Sequence, residues 1–156
     1  SRCCATCAAP PGTSMPERHA RAIQLAAAMF ERDTAVRALD ITIGDVAPGR
    51  ATATMRVTSA MVQGHGTCHG GYLFLLADTA FAYACNTDGP AVAAGADVEF
   101  LAPVHEGDLL LATAQERVLR GRSGIYDVTV RRGDESVLEF RGRSRTVGAV
   151  RPPPPG

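Results

Sequence analysis

The sequence contains no lysine: all sixteen cationic side chains are arginine, they meet sixteen acidic ones, and the formal net charge is zero. A chain balanced in this way offers no basic field, which argues against nucleic acid or an anionic membrane surface as partner. All-arginine usage beside abundant alanine and glycine reads as compositional bias, not as a binding device. Long hydrophobic runs are missing too. The most apolar stretch, Gly70 to Asn86, is too short and too interrupted to span a bilayer, and the leader lacks the apolar core of a signal peptide. Nor is there a disulfide framework. Five cysteines are an odd number; Cys3, Cys4 and Cys7 lie in the leader, and Cys68 and Cys85 lie in or beside the apolar stretch. These absences fit a reducing cytoplasm.

What is present is enough for one core. With 156 residues, 46% of them hydrophobic, the chain can bury a single domain and not two. Met15 reads as a natural start, so the domain is expected over residues 15–148, after an extension at residues 1–14 that is foreign or disordered. The Pro-rich tail at residues 149–156 is of polyproline type and adds nothing to a core.

The chain is organised around GHGTCHGGYLFLLADTAFAYACN, residues 64–86, where a Gly- and His-rich loop opens into an apolar helix. A helix from Gly70 to Asn86 places apolar residues round its whole circumference, the pattern of a buried central helix. One charge interrupts it. Buried without a partner, Asp78 is costly, and desolvation raises its pKa toward the range of a general base; the competing reading is an Asp that turns to solvent or caps a loop. Ahead of this stretch, Pro16 to Leu39 reads as one or two amphipathic helices with Ile23, Ala26, Ala27 and Phe30 facing inward on an outer flank. Asp40–Val46 and Arg50–Thr58 alternate around Ala47-Pro48-Gly49 and predict a hairpin. Behind it come strands at Ala91–Leu101, Asp108–Leu119, Ile125–Arg132 and Ser136–Val147, separated by turn signals. The fold class is therefore α+β: an antiparallel sheet wrapped around a long central helix, with edge strands that a second copy can cover.

That order, together with CHGGYLFLLADTAFAYACN, VEFLAPVHEGD and FRGRSRTVG, resembles the hotdog-fold acyl-CoA thioesterases, specifically the PaaI type associated with phenylacetate degradation, over roughly Ala38 to Gly148. The resemblance implies hydrolysis of an aryl-acetyl thioester of coenzyme A, with no separate cofactor, by a homodimer that pairs again into a tetramer. It also implies that Asp78 is general base or nucleophile and that the Gly70 amide polarises the thioester carbonyl. The residue types suit these roles: a helix start carries unpaired donors, and glycine admits close approach. At Gln63 such enzymes more often carry Asn to hold the water or the carbonyl. His69 orients the loop, lies next to the thioester, or caps the helix. Arg141, Arg143 and Arg145 alternate on one face of the last strand; Arg143 and Arg145 are candidates for the coenzyme A phosphates, an ordinary solvated face being the alternative.

Other chemistries fit less well. His65, Cys68 and His69 crowd one loop, yet no carboxylate or CxxC partner completes a zinc set, so no metal is expected. Cys68 and His69 are adjacent on extended chain and point to opposite sides, which disfavours a thiol nucleophile. Within the same fold a hydratase or dehydratase remains open, as does a non-catalytic acyl-CoA sensor; no His lies near Asp78 and no additional module is evident. Val92, Ala94, Ala96, Val98 and Phe100 form an apolar file expected to leave room beside the central helix for an aryl group or the pantetheine arm.

Overall fold

The alternation read from the sequence folds into six strands, described here from a computed structural model covering residues 12–148. The proposed tail and most of the proposed extension, with Cys3, Cys4 and Cys7, lie outside the described residues. The elements are α1 (Met15–Arg32), α2 (Thr34–Ala38), β1 (Thr42–Ala47), β2 (Arg50–Arg56), α3 (Gly70–Cys85), β3 (Ala91–Phe100), β4 (Leu109–Arg120), β5 (Ser123–Arg132) and β6 (Glu135–Thr146). All pairings are antiparallel, in the order β1-β2-β4-β5-β6-β3. The hairpins turn where Gly was expected to permit it, Ala47 pairing with Arg50, Arg120 with Ser123 and Arg132 with Glu135.

The sheet curls round α3, the hotdog arrangement expected. Its inner face presents Ala53 and Met55 from β2, Leu110 and Ala112 from β4, Val128 and Val130 from β5 and Phe140 from β6, all buried against Leu73, Leu76, Ala77, Ala80, Phe81 and Ala84 of the helix. Alanines on both sides let the helix axis approach the sheet closely. Gly142 makes a similar allowance: a Cβ there would lie 2.8 Å from the Phe81 ring, so the ring fills the space that a side chain would take.

One expectation of the sheet needs correction, and it concerns β3; the helix is covered on most sides, as a central helix should be, but not all round. Gly71 and Phe74 are exposed, and Leu75, Asp78 and Ala82 only half-buried, so one stripe at helical spacing stays open. A single curved sheet has one concave side and cannot enclose a cylinder. The apolar file of β3 is broken. Ala96 and Val98 pack on the core, but Val92 and Phe100 are 52% and 54% exposed and Ala94 is exposed. A bulge between Ala93 and Gly95 shifts the alternation, and β3 is an edge strand with a neighbour on one side only.

The flanking elements fix the C-terminal end of α3. α1 begins with a capping box, in which the Glu17 amide donates to Ser14 Oγ and the Ser14 amide to Glu17 Oε2, and it packs on the core through Ala26, Met29 and Phe30, whereas Ile23 and Ala27 are exposed. Asp33 accepts from the Val36 amide at 3.2 Å, capping α2, and from the Tyr83 hydroxyl at 3.0 Å, so one carboxylate joins α2 to the central helix. Asn86 ends α3: its Nδ2 donates to the Ala82 and Ala91 carbonyls while its Oδ1 accepts from the Ala91 amide at 2.9 Å, fixing where β3 departs. Among the described residues no helix is long and apolar enough to cross a membrane.

Candidate active site

At the N-terminus of α3 the chain enters extended, and its first amides are divided among partners. The His69 amide donates to the Met61 carbonyl at 2.7 Å, and His69 Nδ1 accepts from the Gly71 amide at 2.9 Å, so the imidazole is the helix cap. Among the described residues nothing accepts from the Gly70 amide. This donor lies at the positive end of a 16-residue helix. It opens on a cleft of about 340 Å³ bordered by Gln63, Thr67, Leu73, Phe100 and Pro103.

The cleft walls are tied together by backbone. The Cys68 amide donates to the Val104 carbonyl at 2.7 Å, joining the loop before α3 to the loop after β3. Gln63 donates from its amide to the Thr67 carbonyl at 2.9 Å and from Nε2 to Thr67 Oγ1 at 3.0 Å, closing the Gly-rich loop on itself. Asp108 holds the far wall, accepting from the His105 amide at 2.9 Å and from Arg132 Nη1 at 2.8 Å; these bonds keep its carboxyl below the usual carboxylate range. Arg132 also donates to the Pro103 carbonyl at 3.0 Å.

Asp78 sits on the open stripe of α3. It is half-buried, burial pushes its pKa up, and among the described residues its carboxylate has no hydrogen-bond or ion-pair partner. The Cys85 thiol, two turns on along the same stripe, is pushed up to about 12 by burial, with the Asp78 charge contributing. Asp78 and Gly70 are eight positions apart on one helix, roughly 12 Å along the axis and about 80° round it.

The structure thus brings Gln63, His69 and Gly70 to one loop and leaves Asp78 apart from them. Arg143 and Arg145 lie elsewhere again. They alternate with buried Gly142 and Ser144 and face away from α3, Arg143 donating to Asp97 at 2.7 Å and Arg145 to Ser123 Oγ at 3.1 Å. Arg141 chelates Asp127 at 2.7 and 2.8 Å, and that contact holds the Asp127 carboxyl below its ordinary range. Cys68 is turned into the core, and burial raises its thiol pKa, opposing a thiolate there.

Sequence reasoning set Phe100 in the apolar file beside the helix but missed its contact with Gly70. An ideal Cβ on Gly70 would lie 3.0 Å from Phe100 Cε1 and 3.2 Å from Cζ. Nothing local to either residue signals this contact; the placement of β3 beside β6 creates it. The Pro at position 103, which ends the strand run, is the one sequence cue that the chain turns there toward the cleft.

Comparison with known proteins gives concordant results. The profile described as the thioesterase superfamily matches residues 65–139. The acyl-coenzyme A thioesterase PaaI of Escherichia coli is 48% identical over 132 residues, which is 83% of this chain and 94% of that protein. The solved structure of the E. coli PaaI protein from the phenylacetic acid degradation operon superposes with a TM-score of 0.82 at 45% identity, covering 88% of this chain and 99% of that one. A mutant form of phenylacetic acid degradation protein PaaI from Thermus thermophilus does so with a TM-score of 0.72 at 36% identity, covering 74% and 100%.

Proposed function

The chain belongs to the thioesterase superfamily and is an acyl-coenzyme A thioesterase of the PaaI type, and from that premise we propose that it hydrolyses phenylacetyl-coenzyme A or a ring-hydroxylated relative to the free acid and coenzyme A. The aryl-acetyl preference is supported by the pathway for which the relatives are named and by the apolar walls of the cleft, Leu73, Phe100 and Pro103.

In this reading the thioester oxygen accepts from the Gly70 amide, and Asp78 takes a proton from water as the water oxygen bonds to the carbonyl carbon. The carbon–sulfur bond then breaks, and coenzyme A leaves as a thiolate that regains the proton. The donor acts where negative charge develops, and the leaving thiolate needs little acid assistance. The observation that carries the reading is the presence, on one rigid helix, of an unclaimed N-terminal amide and an unpartnered, partly desolvated carboxylate.

Their separation has a consequence for assembly. A carbonyl must lie about 3 Å from both its donor and the group that delivers water, and an Asp side chain cannot close a gap of roughly 12 Å along its own axis. Two copies with antiparallel α3 helices across a two-fold axis bring Gly70 of each chain to Asp78 of the other, giving two equivalent composite sites. The open stripe of α3 and the exposed edge of β3 supply apolar surface for such a homodimer. The phosphates of coenzyme A meet Arg143 or Arg145 only if the nucleotide runs across the outer face of a sheet.

Initial rates of free-thiol release over aromatic, short and long aliphatic acyl-CoA substrates test the assignment. Phenylacetyl-CoA should lead the panel. Faster turnover of palmitoyl-CoA would reject the aryl-acetyl preference.

A further inference from the structure

We infer that Phe100 is a specificity-determining residue, its ring forming the wall against which the acyl group lies when the thioester oxygen reaches the Gly70 amide. This rests on the assignment of that amide as oxyanion donor. Three observations carry it.

The ring is in contact with the donor residue, 3.0 Å from the place a Gly70 Cβ would occupy, yet Phe100 remains 54% exposed. The ring lines the cleft, and it does so from the same β3 edge that the proposed homodimer would cover. Second, its backbone is pinned. Phe100 pairs with Leu138 at the end of β3, and the next amide, that of Leu101, donates to the Val137 carbonyl at 2.9 Å. The ring is therefore presented from a strand end and not from a free loop. Third, the cleft is divided by polarity. Phe100, Leu73 and Pro103 are apolar, whereas Gln63 and Thr67 carry the polar groups and already bond to each other.

A carbonyl oxygen about 3 Å from the Gly70 nitrogen directs the two substituents of its carbon to either side. One of those sides is the Phe100 ring. The hydrocarbon part of the acyl group belongs there, and the sulfur and pantetheine arm leave by the other. An aryl ring gains edge-to-face or offset contact with Phe100 beyond the area it buries, which a flexible aliphatic chain does not. A Cβ at position 70 would press on the same ring, which would have to give by a few tenths of an ångström.

The test uses Phe100→Ala and Phe100→Leu, each checked by light scattering for the wild-type oligomeric state. kcat/KM is measured for phenylacetyl-CoA and hexanoyl-CoA. With Ala, the aryl thioester should lose tenfold or more and the hexanoyl thioester threefold or less, with Leu intermediate. An equal fall for both substrates, or an unchanged ratio, overturns the inference and reduces Phe100 to a support for the loop. Failure of the wild type to release thiol from any acyl-CoA would instead sink the reading of the site as a thioesterase centre. Phe100 is then decided by calorimetric binding of two unreactive thioethers, S-(2-phenylethyl)-CoA and S-hexyl-CoA: selective weakening of the first by Phe100→Ala supports it, and parallel or no weakening overturns it.

Discussion

His69 Nδ1 accepts from the Gly71 amide at 2.9 Å, and in doing so it claims the second donor of α3 while leaving the first, on Gly70, without a partner among the described residues. The imidazole of the neutral side chain therefore carries its proton on Nε2. Capping the helix and leaving the Gly70 amide open are one arrangement.

A substitution pair separates the cap from any contact with substrate. His69→Ala should cost about 1 kcal/mol, the usual loss for a missing cap, seen as a drop in Tm of about 3 °C for a domain of this size, and activity should fall with it. His69→Asn supplies a competent cap. If Asn restores both Tm and kcat/KM, the residue acts through the helix; if it restores Tm alone, the imidazole touches the thioester.

Asp78→Asn tests the base. A general base contributes roughly 10²- to 10⁴-fold, so thiol release should fall by that order while acyl-CoA binding persists. A variant within about threefold of wild type removes Asp78 from the chemistry.

The same substitution should stabilise the fold at neutral pH. The folded pKa of Asp78 lies above its ordinary value of 3.8. The folded state therefore binds a proton more readily than the unfolded state, and wild-type stability declines as pH rises from that value through the raised one. Asn cannot titrate, so its Tm advantage should appear at pH 7 and shrink toward pH 3. Equal melting of the two proteins at every pH would show that the carboxylate is not desolvated in solution.

Complementation tests the shared site. Gly70→Pro removes the donor amide at the first helical position, where proline is tolerated, and His69 already has the extended backbone that precedes a proline. Phe100 must tilt aside, which its exposure allows. Reassorting these chains with Asp78→Asn chains should regenerate one intact site per mixed dimer. Mixed dimers that form but are no more active than their parents place donor and base in one chain.

Asp108→Ala should loosen the far wall of the cleft, since it frees the His105 amide and one hydrogen bond of Arg132. The Asp108 carboxyl is held below its unfolded value, so its stabilisation is present above pH 3.8 and is lost as pH falls through the lower folded value. The variant should melt a few degrees below wild type at pH 7 and converge with it near pH 2. A constant difference across that range would assign the effect to packing.

Periodicity and turn residues made most of this fold legible. Glycine at 49, 121 and 133 marked the hairpins, and the run from Gly70 to Cys85 announced the central helix. The loss of alternation at Ala93 to Gly95 was not legible, because a bulge depends on how β6 pairs with β3 and not on the residues of β3 alone. The open stripe through Asp78 was signalled only by that one charge, because apolarity says that a face will be covered, not by which chain. At the site, the loop and the carboxylate were identifiable as residue types, whereas the Phe100 wall and the Cys68 to Val104 bond are contacts between segments far apart in sequence.

The sheet order also dictates when this cleft comes into being during synthesis. Among the described strands β3 pairs with β6 alone, so the strand that carries Phe100 waits, after its own translation, for residues 135–146 to leave the ribosome. Until then the central helix can settle against β2, β4 and β5, while one wall of the site hangs unpaired beside it. A released chain that ends at Asp134 should exchange its β3 amides freely while those of β4 and β5 are protected. Such a chain has most of its core but lacks the strand pairing that sets the Phe100 ring beside Gly70.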